Sequence, residues 1–259
     1  MDLPDTLADD LYDFAFCPEP CYERLVDLAN PEPWGEGNRV LKNYLLFSFK
    51  RAVQLTKRDH ATAATPSALP IVFDEGLCLF NTGLYTRRYE TVCALFEPNT
   101  REDARQRWFL KGFFKESDPA LVAFEYLPCR VHFAEDPSQL VFDYRLPIRC
   151  NIDHILGDEE NLTRIPEALM GEENSLLLRR AFEGAVVEAA RRAAANYTLA
   201  VPQFYGGRIQ LLLPLCLTGD KPELALAVQR EDGFYSARTC LTIEMAYNNA
   251  RLICRPETS

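Results

Sequence analysis

The stretch Cys150–Pro166, CNIDHILGDEENLTRIP, gathers residue types that could do acid–base chemistry. His154 is one of only three histidines in the chain, and Asn151, Asp153, Asp158 and Arg164 all stand within ten residues of it. An imidazole is the one side chain whose unperturbed pKa lies near neutrality, so His154 is the candidate catalytic residue, as general base or ligand donor. Asp153 or Asp158 would tune it, Asn151 would contribute a polar contact, and Arg164 would hold an anion. The same residues also make a well-capped loop, with Asn151 or Asp153 closing a turn and His154 satisfying backbone groups. Both readings stay open at the level of sequence.

A second set of polar residues sits among apolar strands. Arg238, in FYSARTCLTIEM, is expected on a polar face with Ser236 and Thr242, with Arg208 and Gln210 on a neighbouring strand. Such a floor would bind phosphate or ribose; a structural salt bridge from Arg238 to Glu223 or Glu244 is the plainer reading. Asn248, in YNNAR, could cap a terminal helix or read a base edge. Asn81, in FNTGLY, makes either a turn with Gly83 or a small polar loop that approaches a ligand. Trp108, beside Arg107 and Lys111, is either core or a stacking platform for an unpaired base.

Familiar catalytic signatures are missing. There is no GxxxxGK[ST] loop, no strand-following GxGxxG, no HExxH, no GxSxG and no pair of H-x-[ST] motifs. The H-x-E and P-C-x-x-C pair of zinc deaminases is absent too. Cys129, His132, Cys150 and His154 have spacings that could tempt a metal assignment, but residues three apart on a strand face opposite ways. No metal site and no cofactor is assigned.

Two long helices and several antiparallel strands must position these groups. Arg39–Thr56 repeats Leu41, Leu45, Phe49, Ala52 and Val53 at helical spacing, and Asn174–Tyr197 carries a stripe through Leu178, Phe182, Val186, Ala190, Ala193 and Tyr197. Gly184 inside the second helix suggests a close approach to a sheet. IVF and LCLF around DEG form a hairpin, with NTGLYT leaving the second strand. RWFLKGFF with LVAFEYL, and CRVHFA with LVFDY, read as further hairpins, and the last third reads as a meander followed by a short helix. In the final strand, simple alternation puts Tyr235, Ala237, Thr239, Leu241 and Ile243 on one face. The predicted fold is α+β: a curved, mainly antiparallel sheet of eight to ten strands packed by two main helices. Residues 1–34 read as an acidic approach segment and 35–259 as a single domain.

Composition narrows the class. The net charge is −10, of which residues 1–36 carry −9, with ten acidic side chains against Arg24 alone. That balance argues against a general, salt-driven grip on nucleic acid. Arg39–Arg58 nevertheless holds six bases and no acid, a local footprint that the acidic leader could shield. The start of the chain lacks a signal-peptide pattern and no apolar run is long enough to cross a bilayer, so a soluble cytoplasmic protein is expected, with no membrane partner. Nine scattered cysteines fit free thiols in a reducing compartment.

Several segments, in order, resemble a bacterial domain-of-unknown-function family, number 3825: LANPEPWG, LKNYLLFSFKR, FNTGLYT, NIDHIL…RIP and IQLLLPLCL…ELALAV…YSARTCLTIEMAYNNARL. No reaction is established for that family. Its members look associated with RNA-binding modules in some longer proteins, so the resemblance implies RNA or a nucleotide as partner, with processing as an extension. Two other classes stay open: a small-molecule enzyme or nucleotide-signal sensor with a closed pocket, and a non-catalytic interaction module whose acidic leader docks a basic partner.

Overall fold

The computed structural model describes residues 7–101 and 103–256, and the chain divides into two compact units, one running to His132 and the other beginning at Phe133. The first contains α1 (Leu11–Phe14), β1 (Ala15–Phe16), α2 (Glu19–Leu28), α3 (Arg39–Asp59), β2 (Ile71–Asp74), β3 (Leu77–Tyr85), β4 (Thr91–Pro98) and β5 (Trp108–Lys115). The second contains β6 (Ile148–Cys150), α4 (Ile152–Gly157), α5 (Glu159–Leu162), α6 (Ser175–Ala195), β7 (Val201–Tyr205), β8 (Arg208–Leu215), β9 (Leu224–Glu231), β10 (Phe234–Thr242) and α7 (Ile243–Ala250). The fold is α+β, but the strands do not share one sheet. They form two mixed sheets of five, ordered β1-β5-β4-β3-β2 and β6-β10-β9-β8-β7. The β1–β5 and β6–β10 pairs are parallel and the others antiparallel.

One reason for the difference lies in residues 119–141. Pro119, Pro128 and Pro137 flank the runs expected as strands, and Asp118 and Asp136 cap 3-10 turns at Pro119–Leu121 and Pro137–Leu140 that take in the first residues of LVAFEYL and LVFDY. Leu121 and Phe124 pack against Val72, Leu79, Cys93 and Leu95, covering one face of the first sheet. The other face meets the aromatic cluster of α3. Phe49 lies edge-on to Phe80, with ring centroids 5.3 Å apart. Covered on both faces, β3 is buried almost throughout, so the alternation that marks a half-exposed strand is missing. NTGLYT continues β3 through a bulge between Asn81 and Leu84 instead of leaving it. The expected β2–β3 hairpin is present: Glu75 and Gly76 both take positive φ, as a two-residue turn of the primed type requires.

The acidic leader is a packed element where an approach segment was expected. Phe14 is 1% exposed, stacks on Trp108 at 5.5 Å and meets Phe49 at 5.1 Å. Tyr22, Leu25 and Trp34 are also buried. In the same unit, Lys42 is paired with Glu19 and Lys57 with Asp9, so the leader neutralises part of the basic helix.

In the second unit, α6 buries Leu178, Phe182, Ala185, Val186, Ala189 and Ala193 on one sheet face with Leu211, Leu213, Leu226, Val228, Tyr235 and Ala237. Gly184 points outward, where a Cβ would meet nothing within 4 Å, so close helix–sheet approach does not explain it. The opposite face carries α7, whose Ala246 and Ala250 pack on Leu212, Ala225, Ala227 and Leu241. A bulge between Ala237 and Thr239 breaks the expected alternation, which is why Tyr235 and Ala237 share a core with Cys240 while Leu241 lies with α7. Pro214 lies on β8 past Leu212, the last residue paired with β7, so β8 is an edge on that side there, while on its other side Pro214 stays in register with Ala225 of β9.

Removing the Phe14 ring tests the leader's role. Phe14→Ala should cost about 3–5 kcal/mol in chemical denaturation, whereas a detachable leader would leave the unfolding midpoint unchanged.

Candidate functional site

The α7 side of the second sheet changes character halfway along its strands. Near α7 it is apolar. Beyond, Gln203 pairs with Gln210 across β7–β8, Gln229 with Ser236 across β9–β10, and Ser236 with Arg149 across β10–β6. The β8–β9 ladder joins Leu211 to Val228, so its next rung sets Gln210 beside Gln229. One polar row therefore crosses all five strands. Gln203 Nε2 donates to Gln210 Oε1 at 2.8 Å, and Asn249 Nδ2 of α7 donates to Gln203 Oε1 at 3.0 Å. Gln229 Nε2 and Ser236 Oγ both donate to Glu231 Oε1, at 3.1 and 3.0 Å. This ties down the amides and leaves orientation to the sheet.

Arginines and aromatic rings border the row. Tyr205, 65% exposed, pairs with Arg208 next to the Gly206–Gly207 turn. Arg149 lies with its guanidinium 4.1 Å from the Phe234 ring centroid. Arg238 is the residue that the β10 bulge inserts. All three arginines are exposed, and among the described residues none has a hydrogen-bond or ion-pair partner. Glu231 offsets one of these charges, leaving the face net positive. By strand geometry Arg208 and Arg238 stand about 15 Å apart, two strand spacings and some four residues along. Arg149 is the functional candidate that sequence reading missed, hidden in the run LVFDYRLPIR; its signal was a base two residues after a proline at a strand start.

The other expected residues serve the structure. Asn81 is buried: its Nδ2 donates to the Pro128 carbonyl at 2.8 Å and its Oδ1 accepts from the Gly83 N–H at 2.9 Å. Gly83 is required there, because at φ +72° any Cβ would sit 2.7 Å from Tyr44 Oη. Trp108 is core, packed between Phe14 and Phe73, so no base can stack on it. Asn151 caps α4 and accepts from the His154 N–H at 3.3 Å. Arg164, its side chain 9% exposed, donates to Asn161 Oδ1 at 3.0 Å, to the Cys240 carbonyl at 2.6 Å and to Glu160. Asp153 pairs with Arg179 of α6, and Asp158 caps α5 by accepting from the Asn161 N–H at 2.9 Å. Asn248, on α7, keeps a buried Oδ1 with no partner among the described residues.

His154 is exposed in the last turn of α4, and its side chain has no partner among the described residues. Because Ile155 of α4 packs into the core shared with α6, His154 belongs to the layer opposite the polar row. The structure does not bring it together with Arg208, Gln210 or Arg149. CNIDHILGDEENLTRIP is a capped structural segment whose polar groups hold α4 and α5 on the edge of β10.

Thiol chemistry has little support. Burial pushes Cys93 up to about 12 and Cys240 up to about 11, and Cys78 well above its ordinary value. All nine cysteines are free. Among the described residues, no three His, Cys, Asp or Glu side chains come together as a metal-binding group, and no helix is long and apolar enough to cross a membrane.

These features define an α+β protein with one sheet face left partly polar and cationic. Residues 25–259 match a family described as a domain of unknown function (DUF3825), and the chain belongs to that family. No curated protein and no solved structure matches it.

Two substitutions separate the structural arginine from the exposed histidine. Arg164→Ala leaves the Cys240 carbonyl and Asn161 short of a donor and should cost about 2–3 kcal/mol, whereas His154→Ala should leave the melting temperature within about a degree. Equal losses in the two variants, read by differential scanning calorimetry, would reverse these roles. Iodoacetamide at pH 8, followed by peptide mass spectrometry, should leave Cys78, Cys93 and Cys240 unlabelled in the native protein and label them after unfolding.

Proposed function

We propose that the protein binds RNA or a nucleotide on the polar half of the second sheet. The observation that carries this reading is the grouping of three exposed arginines (Arg149, Arg208 and Arg238), with no hydrogen-bond or ion-pair partner among the described residues, around an amide row with Phe234 and Tyr205. Arginine matches phosphate oxygens with a planar fork of donors. Aromatic rings beside cations are how unstacked bases are held. Gln210 and Gln229 would meet ribose or base edges.

An open sheet face favours a single strand over a ligand enclosed on all sides. The basic helix α3 contributes less than its sequence implied, since Lys42, Lys57 and Arg58 are paired with Glu19, Asp9 and Asp59. Lys50 alone among its lysines is exposed without a partner among the described residues. Turnover is not part of this reading, because His154 lies on the other layer.

The test is fluorescence anisotropy with a labelled single-stranded RNA across a salt series, using the wild type, Arg208→Ala, Arg238→Ala and Lys50→Ala. Loss of Arg208 or Arg238 should weaken binding about three- to tenfold and flatten the slope of log K against log salt by about 0.7 for each phosphate contact removed. Lys50→Ala should change little. A wild type that binds neither this RNA nor free nucleotides, or binding that ignores both arginines, would end the proposal.

A further inference from the structure

The outer face of α6 carries a pattern that neither the fold nor the proposed binding face uses. Leu177, Arg180, Gly184, Val187, Arg191 and Ala194 recur at alternating steps of three and four, the spacing of a helix-pairing seam. All six are exposed; Leu177 is 54% and Val187 51% exposed. The inward stripe of the helix already supplies the core, so this second stripe is surplus to the fold. At its middle, Gly184 leaves a shallow depression walled by Arg180, Glu183, Val187, Glu188 and Arg191. Glycine in mid-helix costs about 1 kcal/mol relative to alanine, and none of the described residues fills the space that it leaves.

We propose that α6 pairs antiparallel with α6 of a second copy of this chain, with the two-fold axis passing through Gly184. The charge pattern selects both the partner and the direction. About a two-fold at position 184, Arg180 faces Glu188 of the other copy, and Glu188 faces its Arg180. Leu177 meets the aliphatic stem of the other copy's Arg191, and the missing Cβ at Gly184 lets the backbones approach. A parallel pairing would instead set Arg180 against Arg180 and Glu188 against Glu188. Arg180 and Arg191 have no partner within the chain among the described residues, whereas Glu188 is 3.5 Å from Arg192. The self-complementary face therefore fits a copy of itself better than a partner of one charge sign.

The size of the contact sets its strength. A helix of 21 residues is about 30 Å long and 10 Å across, so the seam buries on the order of 300–400 Å² per copy, below the size of stable specific interfaces and fit only for a weak, transient pair. The dimer is a reversible one that forms in the micromolar range or above.

Sedimentation equilibrium of the full chain from a few micromolar to several hundred micromolar tests this. The wild type should fit a monomer–dimer equilibrium. Arg180→Glu brings like charges together twice across the axis and should raise the dimer dissociation constant about tenfold. Gly184→Glu should do at least as much while improving helix propensity, with circular dichroism confirming the fold. The double variant Arg180→Glu/Glu188→Arg restores opposite charges and should regain most of the lost association. A wild type that stays monomeric throughout would overturn the proposal. So would a dimer indifferent to Gly184→Glu, or a folded double variant that fails to recover. None of these outcomes depends on RNA binding.

Discussion

The second unit is governed by a mismatch of lengths. Its strands β8, β9 and β10 have eight or nine residues and span close to 27–30 Å, while α7 has eight residues and covers about 12 Å. One helix of that size cannot bury a whole sheet face. The sequence along each strand respects this limit: Leu212, Ala225, Ala227 and Leu241 lie under the helix, and Gln203, Gln210, Gln229 and Ser236 take over where its apolar contacts end. On the reverse side α6, with 21 residues, meets no such limit, and the core there is continuous. Gln203 is buried beneath Asn249 of α7, and the rest of the polar row, half-buried, with its flanking exposed arginines is the part of the sheet that the helices leave open.

The first unit solves the same problem without leaving a polar half. Its sheet is covered on one side by α3 and the Phe14 cluster and on the other by the irregular segment bearing Leu121 and Phe124. Asn81 and Thr82 are the polar residues buried within β3, and both have backbone partners: Asn81 at Pro128 and Gly83, Thr82 at the Val92 carbonyl, 2.5 Å away. Buried polar groups of this kind are structural requirements, since leaving them unpaired costs more than their bonds return.

Legibility in the sequence followed from whether a pattern was local. The periodicity of α3 and α6, the Glu75–Gly76 turn and the β8–β10 meander could all be read, because each is set by residues a few positions apart. The division into two sheets could not, because residues 120–127 act as a cover on the first sheet and not as a strand, and apolar cover segments look like strands when read alone. The orientation of Gly184 was equally hidden, since a glycine states only that space is needed and not on which side. Arg208, Gln210 and Arg238 were readable as polar residues on apolar strands. Asn81, Trp108 and Arg164 misled because the residue types that bind ligands are the same ones that satisfy buried backbone or fill cores.

The placement of Trp34 and Trp108 has a spectroscopic consequence. They are the only two tryptophans in the chain, and both lie in the first unit, one buried in the leader and the other stacked on Phe14. Indole emission is therefore a reporter built into one half of the molecule. The second unit, with its amide row, its arginines and α6, is directly visible only through tyrosine, including Tyr235 stacked on Phe142 at 4.9 Å and Tyr205 at the hairpin tip. If the two halves unfold separately, tryptophan fluorescence follows the first, and far-ultraviolet dichroism registers both.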